Sequence, residues 1–297
     1  MDTNKLINNI NSDSNEIICV NKDDIWLNYV YDTITEINDV EGKIKGVLKP
    51  SPFRGKQNLT YLNLPEVTAL DPFSVIADCP KLKSVNLPKL DYAVGGFANC
   101  PSLERLDLPN CTTLGDLTGC INLSEINAPL VKDINGKGGG LPLIKELSFP
   151  NLERVGEAEF INDINLSKIY IPKVSYVSSN GFNNCENLTD INIDECKTLS
   201  NNAFASCIKL SSINLPNLSS FTGNAFYNCI NLTTVKLGST TMVKFHSSVF
   251  KNTPITNSTY LGYYGSIYVP MSLIESYRTN PSASHVSERF APLEDLN

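Results

Sequence analysis

The stretch "NAFASCIKLSSINLP", beginning at Asn202, is followed 22 residues later by "NAFYNCINLTTVKLG", beginning at Asn224. That spacing runs through most of the chain. Each copy has a Leu, two free positions, an apolar residue, one free position and a second apolar residue, often closed by Pro. The copies are Leu59-Leu62-Leu64-Pro65, Leu82-Val85-Leu87-Pro88, Leu103-Leu106-Leu108-Pro109, Leu123-Ile126-Ala128-Pro129, Ile144-Leu147-Phe149-Pro150, Leu166-Ile169-Ile171-Pro172, Leu188-Ile191-Ile193, Leu210-Ile213-Leu215-Pro216 and Leu232-Val235-Leu237. Steps between first positions are 23, 21, 20, 21, 22, 22, 22 and 22 residues, and Ile267-Tyr268-Val269-Pro270 reads as a degenerate tenth copy.

The apolar-x-apolar end of each copy has period 2, so it predicts a short strand with one buried face. Pro has no N–H to continue a ladder and ends the strand. One such unit cannot bury its own apolar edge, whereas stacked units bury one another's. A period of 20 to 23 therefore predicts a leucine-rich solenoid.

The other half of each unit carries two further columns. Phe97, Phe160, Phe182, Phe204 and Phe226 stand six residues before the next first-position Leu, with Ile76 and Leu117 in that place elsewhere. Three residues before the same Leu stand Cys79, Cys100, Cys120, Cys185, Cys207 and Cys229, replaced by Leu141 and Asp163 in two units. Both columns predict inward-facing residues, one large and one small. Cys111 and Cys196 fall where other units have Val67, Leu90, Val131, Leu152, Val174 and Leu218, so they too belong to the core.

Of the nine cysteines only Cys19 lies outside the repeat. No C-x-x-C occurs, and His246 and His285 are the only histidines, so a four-ligand zinc site is not expected. Equivalent Cα atoms on stacked strands lie about 4.8 Å apart, but their parallel Cβ vectors keep thiols from relaxed disulfide geometry. The expectation is free, buried thiols acting as small hydrophobes, and no bound metal or cofactor.

Units of the form "AFYNCINLTTVKLG" resemble the BspA-type, or treponemal-type, leucine-rich repeat across about residues 55–255. The resemblance implies a curved right-handed coil of the α/β repeat class, mostly β, with a parallel sheet on its concave face. It also implies binding or adhesion at a bacterial or protozoan surface and no catalysis. Residues 132–143, with "NGKGGG", depart from the pattern: Gly138 stands at the Phe place, which predicts a looser coil. The tail "GSIYVPMSLIESYRTN" is similar to a segment that follows such repeats in proteins of gut Firmicutes and their phages. In that tail, Ser272 and Glu275 have the spacing of a capping box. They predict a short helix carrying Leu273, Ile274 and Tyr277, placed to cover the open end of the coil.

The expected organisation is an N-terminal cap or docking segment over 1–50, the solenoid over 51–262 and a capping segment over 263–297. In the first segment Asp23 or Asp24 would cap a helix with Ile25, Trp26, Tyr29, Val30 and Ile34 on one face. That segment either closes the coil or attaches it to a larger assembly. A formal net charge of −7, without a Lys/Arg cluster, argues against a nucleic-acid partner. No apolar run approaches the length of a signal-peptide core or a membrane span, so neither an export leader nor membrane insertion is expected.

Chemistry is sparse. A Ser–His pair at His246 or His285 is weighed against surface or packing histidines, and "NGKGGG" lacks the spacing of a phosphate-binding loop. Repeated N-x-[ST] triplets, such as Asn187-Leu-Thr189, are by-products of the repeat. An enzyme is not expected. What remains is the concave strand face. Its fifth-position column is rich in Asn: either a hydrogen-bonded amide ladder or part of a polar groove for protein or glycan. The candidate anchors are Tyr61, Arg105, Lys168, Tyr170, Asn192 and Asn214, since aromatics and Arg dominate hot spots. The expectation is a recognition, adhesion or structural module, associated with a phage tail or fibre. The alternative is a secreted BspA-like adhesin of a gut bacterium.

Overall fold

The computed structural model describes residues 35–40, 42, 44–48, 53–70, 76–136, 140–256 and 265–296, with backbone alone at 45–48. The expected helix around Trp26, and Cys19 and Gly138, lie outside the described residues. The chain divides into two compact units, Met1–Ile144 and Lys145–Asn297. Each is a parallel β-solenoid built from the predicted repeat.

In the first unit the strands are β1 (Glu36–Asn38), β2 (Lys45–Leu48), β3 (Tyr61–Asn63), β4 (Glu66–Leu70), β5 (Ser84–Asn86), β6 (Tyr92–Ala93), β7 (Arg105–Asp107), β8 (Thr113–Gly115), β9 (Glu125–Asn127) and β10 (Asp133–Asn135). They form two parallel ladders, β1-β3-β5-β7-β9 and β10-β8-β6-β4-β2. The first contains the predicted apolar-x-apolar strands. The second follows the Pro corner, and sequence reasoning missed it because its strands are only two to five residues long and share no repeating alternation of apolar and polar positions. The ladders begin upstream of residue 51, the expected start of the solenoid: Ile37 pairs with Leu62. That coil escaped the motif because Asp39 occupies the sixth, apolar place. Asp39 is buried there and accepts the Ile44 N–H at 2.6 Å.

The second unit contains β11 (Glu146–Ser148), β12 (Arg154–Val155), β13 (Lys168–Tyr170), β14 (Tyr176–Val177), β15 (Asp190–Asn192), β16 (Thr198–Leu199), β17 (Ser212–Asn214), β18 (Ser220–Phe221), β19 (Thr234–Lys236), β20 (Ser266–Val269) and β21 (Phe290–Pro292). The second ladder, β12-β14-β16-β18, is continuous. The first is interrupted, running β11-β13-β15 and then β17-β19-β20-β21. Ile267 pairs with Val235, as the degenerate tenth copy predicts. Phe290 pairs with Ile267 in a further copy that the spacing did not reveal.

The core is the set of columns read from the sequence. Every first-position residue from Leu59 to Leu232 is fully buried. Phe160, Phe182, Phe204, Phe226 and Phe250 stack face on face, with centroid separations of 5.0, 5.1, 5.5 and 5.7 Å and interplanar angles of 6° to 10°. Offset stacking of this kind contributes beyond plain area burial. Phe250 extends the expected column by one coil, with Thr253 at the Cys place.

The tail caps the stack by a different route from the one expected. A 3-10 turn, Met271–Leu273, leads into α1 (Ile274–Arg278), whose N-cap is Leu273 with no side-chain cap. The capping box is thus corrected. Pro270 starts the turn early, Ser272 falls inside it, and Glu275 pairs with Arg278 at 2.9 Å. The Glu294 carboxylate accepts the Met271 N–H at 3.2 Å instead. Tyr277 is fully buried, its ring stacked on Phe290 at 4.9 Å and its hydroxyl accepting the Val243 N–H at 2.8 Å.

Candidate functional site

Several polar columns at the coil surface are engaged in joining coils. Ser/Thr at the second motif position bond the previous coil's backbone: Thr60 Oγ1 to Thr35 O at 2.8 Å, Thr189 Oγ1 to Ser167 O at 3.1 Å. The amide ladder forms in part. Asn63 donates to Asn38 Oδ1 at 2.6 Å, Asn86 to Asn63 Oδ1 at 2.8 Å and Asn127 to Asp107 Oδ1 at 2.7 Å. Asn187 and Asn231 donate to Ile164 O and Ile208 O, so the amides of these N-x-[ST] triplets are used between coils.

The thiols are donors as well as fillers. Cys120, Cys185, Cys207 and Cys229 place Sγ at 3.0 to 3.1 Å from the carbonyls of Phe97, Phe160, Phe182 and Phe204. Each bond ties the Cys place to the Phe place one coil earlier. All eight described cysteines are free and buried. Burial pushes Cys111 and Cys120 up to about 11 and Cys196 and Cys229 up to about 12. Such thiols stay protonated and unreactive at neutral pH.

The histidines form no catalytic constellation among the described residues. Exposed His246 accepts the Ser248 N–H at Nδ1 (3.3 Å), with Ser248 Oγ 3.0 Å away: a local turn two residues long. His285 is half-buried, and burial together with nearby His246 lowers its affinity for a proton. It lines a cavity of about 220 Å³ with Thr256, Ser284, Ser287, Glu288 and Arg289. No group of three His, Cys, Asp or Glu among the described residues is placed to hold a metal.

The six candidate anchors all lie on first-ladder strands. Tyr61 is on β3 and Arg105 on β7 of the first unit. Arg105 is not a free cation: its guanidinium lies 3.4 Å from Glu125 and 3.7 Å from Asp107. In the second unit, Lys168 and Tyr170 on β13 stand in register with Asp190 and Asn192 on β15. Asn214 holds the same place on β17. Tyr170 is 49 % exposed, and Tyr61, Lys168, Tyr170 and Asn214 make no side-chain hydrogen bond or ion pair within the described residues. Asn192 donates to Asp194 Oδ2 at 3.1 Å, and its Oδ1 is buried without a partner.

Sequence reasoning missed one polar column. The residue before each Cys place lies in the left-handed region: Asp78, Asn99, Asn162, Asn184, Ser206, Asn228 and Asn252 have φ of 57° to 64°. The signal was present as the recurring Asn or Gly in "ANC", "TGC" and "NNC", since these residue types tolerate positive φ.

No curated protein sequence matches this chain. Among solved structures it is similar to a leucine-rich repeat protein from Bacteroides ovatus, at 18 % identity over 82 % of this chain and 84 % of that one, with a TM-score of 0.42. It is also similar to a leucine rich cell surface protein from Faecalibacterium prausnitzii, at 14 % identity over 80 % and 89 %, with a TM-score of 0.31. A third is the Leucine Rich Repeat protein of T. pallidum, at 16 % identity over 56 % and 72 %, with a TM-score of 0.36. The family described as BspA type Leucine rich repeat region matches in six copies, over residues 43–137 and 141–260. Those spans take in well over half of the residues, and they contain the stacked Leu, Phe and Cys columns; the chain belongs to the BspA-type leucine-rich repeat family.

Proposed function

We propose that the protein is a non-enzymatic recognition module that binds protein or glycan through the exposed first-ladder side chains. One observation carries this reading. Tyr61, Lys168, Tyr170 and Asn214 make no side-chain hydrogen bond or ion pair within the described residues, whereas the Ser/Thr side chains at the second motif position and the amides of Asn187 and Asn231 are spent on joining coils. An exposed aromatic ring and a cation two residues apart on one strand, Tyr170 and Lys168 on β13, suit recognition. Leucine-rich repeat proteins generally mediate protein interactions, and this family suggests surface recognition or adhesion.

The setting we favour is a phage particle, with the part of residues 1–50 that precedes β1 docking the solenoid to a tail or fibre. Free thiols at eight core positions support folding in a reducing compartment before assembly. A secreted adhesin is the alternative setting. The test is a glycan-array and surface-protein pull-down screen with the full chain and with a Lys168→Ala/Tyr170→Ala double variant. Partner capture should fall about tenfold or more in the double variant, with its melting temperature unchanged. Capture unaffected by the double variant would refute the assignment of this face. Particle proteomics separates the two settings.

A further inference from the structure

The second ladder of the second unit carries one unbroken outward file. Arg154 stands in register with Tyr176, Tyr176 with Thr198, Thr198 with Ser220, and Ser220 with Lys244. Their chain neighbours Val155, Val177, Leu199 and Phe221 are buried, so alternation turns the file itself away from the core. Lys197 precedes Thr198 on the same rung, where its N–H donates to Ser175 O at 2.9 Å. Cations therefore come on every second rung: Arg154, then Lys197, then Lys244. At about 4.8 Å per rung they recur about every 10 Å.

The file holds no carboxylate. In the corresponding first-ladder file, Glu146 and Asp190 stand in register on either side of Lys168. Lys197 and Lys244 are exposed and make no ion pair or side-chain hydrogen bond within the described residues, while Arg154 already interacts within the chain. Glu153 and Glu195 border the file at its corner, and neither pairs with these two lysines. Tyr176 is the fixed point. Its ring is 42 % exposed, and its hydroxyl accepts from Ser200 Oγ at 2.6 Å, a side chain that is itself buried. An exposed ring held from behind loses little freedom when a ligand covers it. On the next two rungs Thr198 Oγ1 and Ser220 Oγ lie 3.4 Å apart, and each hydroxyl can both donate and accept.

We propose that this file is a binding track for an extended acidic polysaccharide, with a sugar ring on Tyr176, sugar hydroxyls at Thr198 and Ser220, and acid groups meeting Lys197 and Lys244. It is a second face, independent of the first-ladder anchors. A sugar residue in an extended chain is close to one rung in length, so an acid on every second sugar matches a cation on every second rung. Nucleic acid fits poorly, because its phosphates recur about every 3.4 Å along a strand. A peptide strand fits poorly too. The file crosses the strands, whose N–H and C=O groups already pair along the ladder, so an added backbone finds nothing to bond.

Titration calorimetry with the full chain tests this. Hyaluronan oligosaccharides, with an acid on alternate sugars, and polygalacturonate oligosaccharides are the acidic probes. Cellohexaose is the neutral probe and a poly-glutamate peptide the protein arm. Hyaluronan oligosaccharides should bind about tenfold or more tighter than cellohexaose, and raised salt should weaken them severalfold. Tyr176→Ala should weaken binding about tenfold, and the Lys197→Gln/Lys244→Gln double variant about as much, with the urea midpoint of the lysine variant unchanged. Tyr176→Phe, which keeps the ring and drops the Ser200 bond, should lose no more than about threefold. The Lys168→Ala/Tyr170→Ala variant should bind as the wild type does. No binding of either acidic oligosaccharide at millimolar concentration would overturn the proposal. So would poly-glutamate or cellohexaose binding as tightly as the acidic saccharides. A loss seen in the Lys168→Ala/Tyr170→Ala variant, and absent from the Tyr176 and lysine variants, would overturn the track and place saccharide binding on the first ladder.

Discussion

At the corner before each Cys place the chain turns with positive φ, and this one backbone demand explains the recurring Asn or Gly there. An L-residue with an ordinary side chain loses about 1–2 kcal/mol there, while Gly loses none and Asn recovers part through local hydrogen bonds. Asn184, at φ 64°, also donates to Asn162 Oδ1 at 2.9 Å. Asn184→Val should therefore cost about 1–2 kcal/mol in urea unfolding, and Asn184→Gly less than half of that. Equal losses for both would place the stabilisation in the side-chain bond rather than in φ. Gly119 holds the same place at φ 82°, where an added Cβ would come within 2.7 Å of Asn99 Oδ1. These residues were visible in the sequence as a column, but the column has no hydrophobic period, so only the backbone reveals its purpose.

The phenylalanine stack is the element that gives neighbouring coils their mutual dependence. Phe204 is fully buried between Phe182 and Phe226, so its removal leaves a hole that two rigid ring faces cannot collapse into. Phe204→Ala should cost about 3–5 kcal/mol. Hydrogen exchange should quicken first around Phe182 and Phe226 and only later toward β11. Uniform acceleration through the second unit would contradict nearest-neighbour stacking. The C-terminal cap depends on one polar atom in the same way. Tyr277→Phe strands the buried Val243 N–H and should cost about 1–3 kcal/mol, readable as a lower urea midpoint, whereas Ser272→Ala should change nothing because no capping box exists. The strand pattern was legible because side chains alternate. The capping error arose because Ser-x-x-Glu spacing says nothing about a Pro that starts a 3-10 turn two residues earlier.

For the molecule as a whole, buried thiols tie stability to alkaline pH. An unfolded thiol ionises at about 8.5, whereas burial holds Cys111 and Cys120 at about 11 and Cys196 and Cys229 at about 12. Folded-state values raised in this way contribute stability that is complete below about 8.5 and is lost as pH rises toward 11 and 12. The urea midpoint should accordingly fall between neutral pH and about pH 10, and the eight described thiols should resist alkylation in native buffer at neutral pH. A midpoint independent of pH over that range would show that these thiols titrate alike in both states. The sequence by itself determined the repeat, the identity of the inward columns and the strands that carry the exposed face. Side-chain size and alternation are local properties that stacking merely adds up. Only the tertiary structure decided where hydrogen bonds between coils close and where they fail. Pairing of 189–193 with 211–215 depends on the separation of two backbones, a quantity to which both strands contribute and which neither strand's residues encode alone.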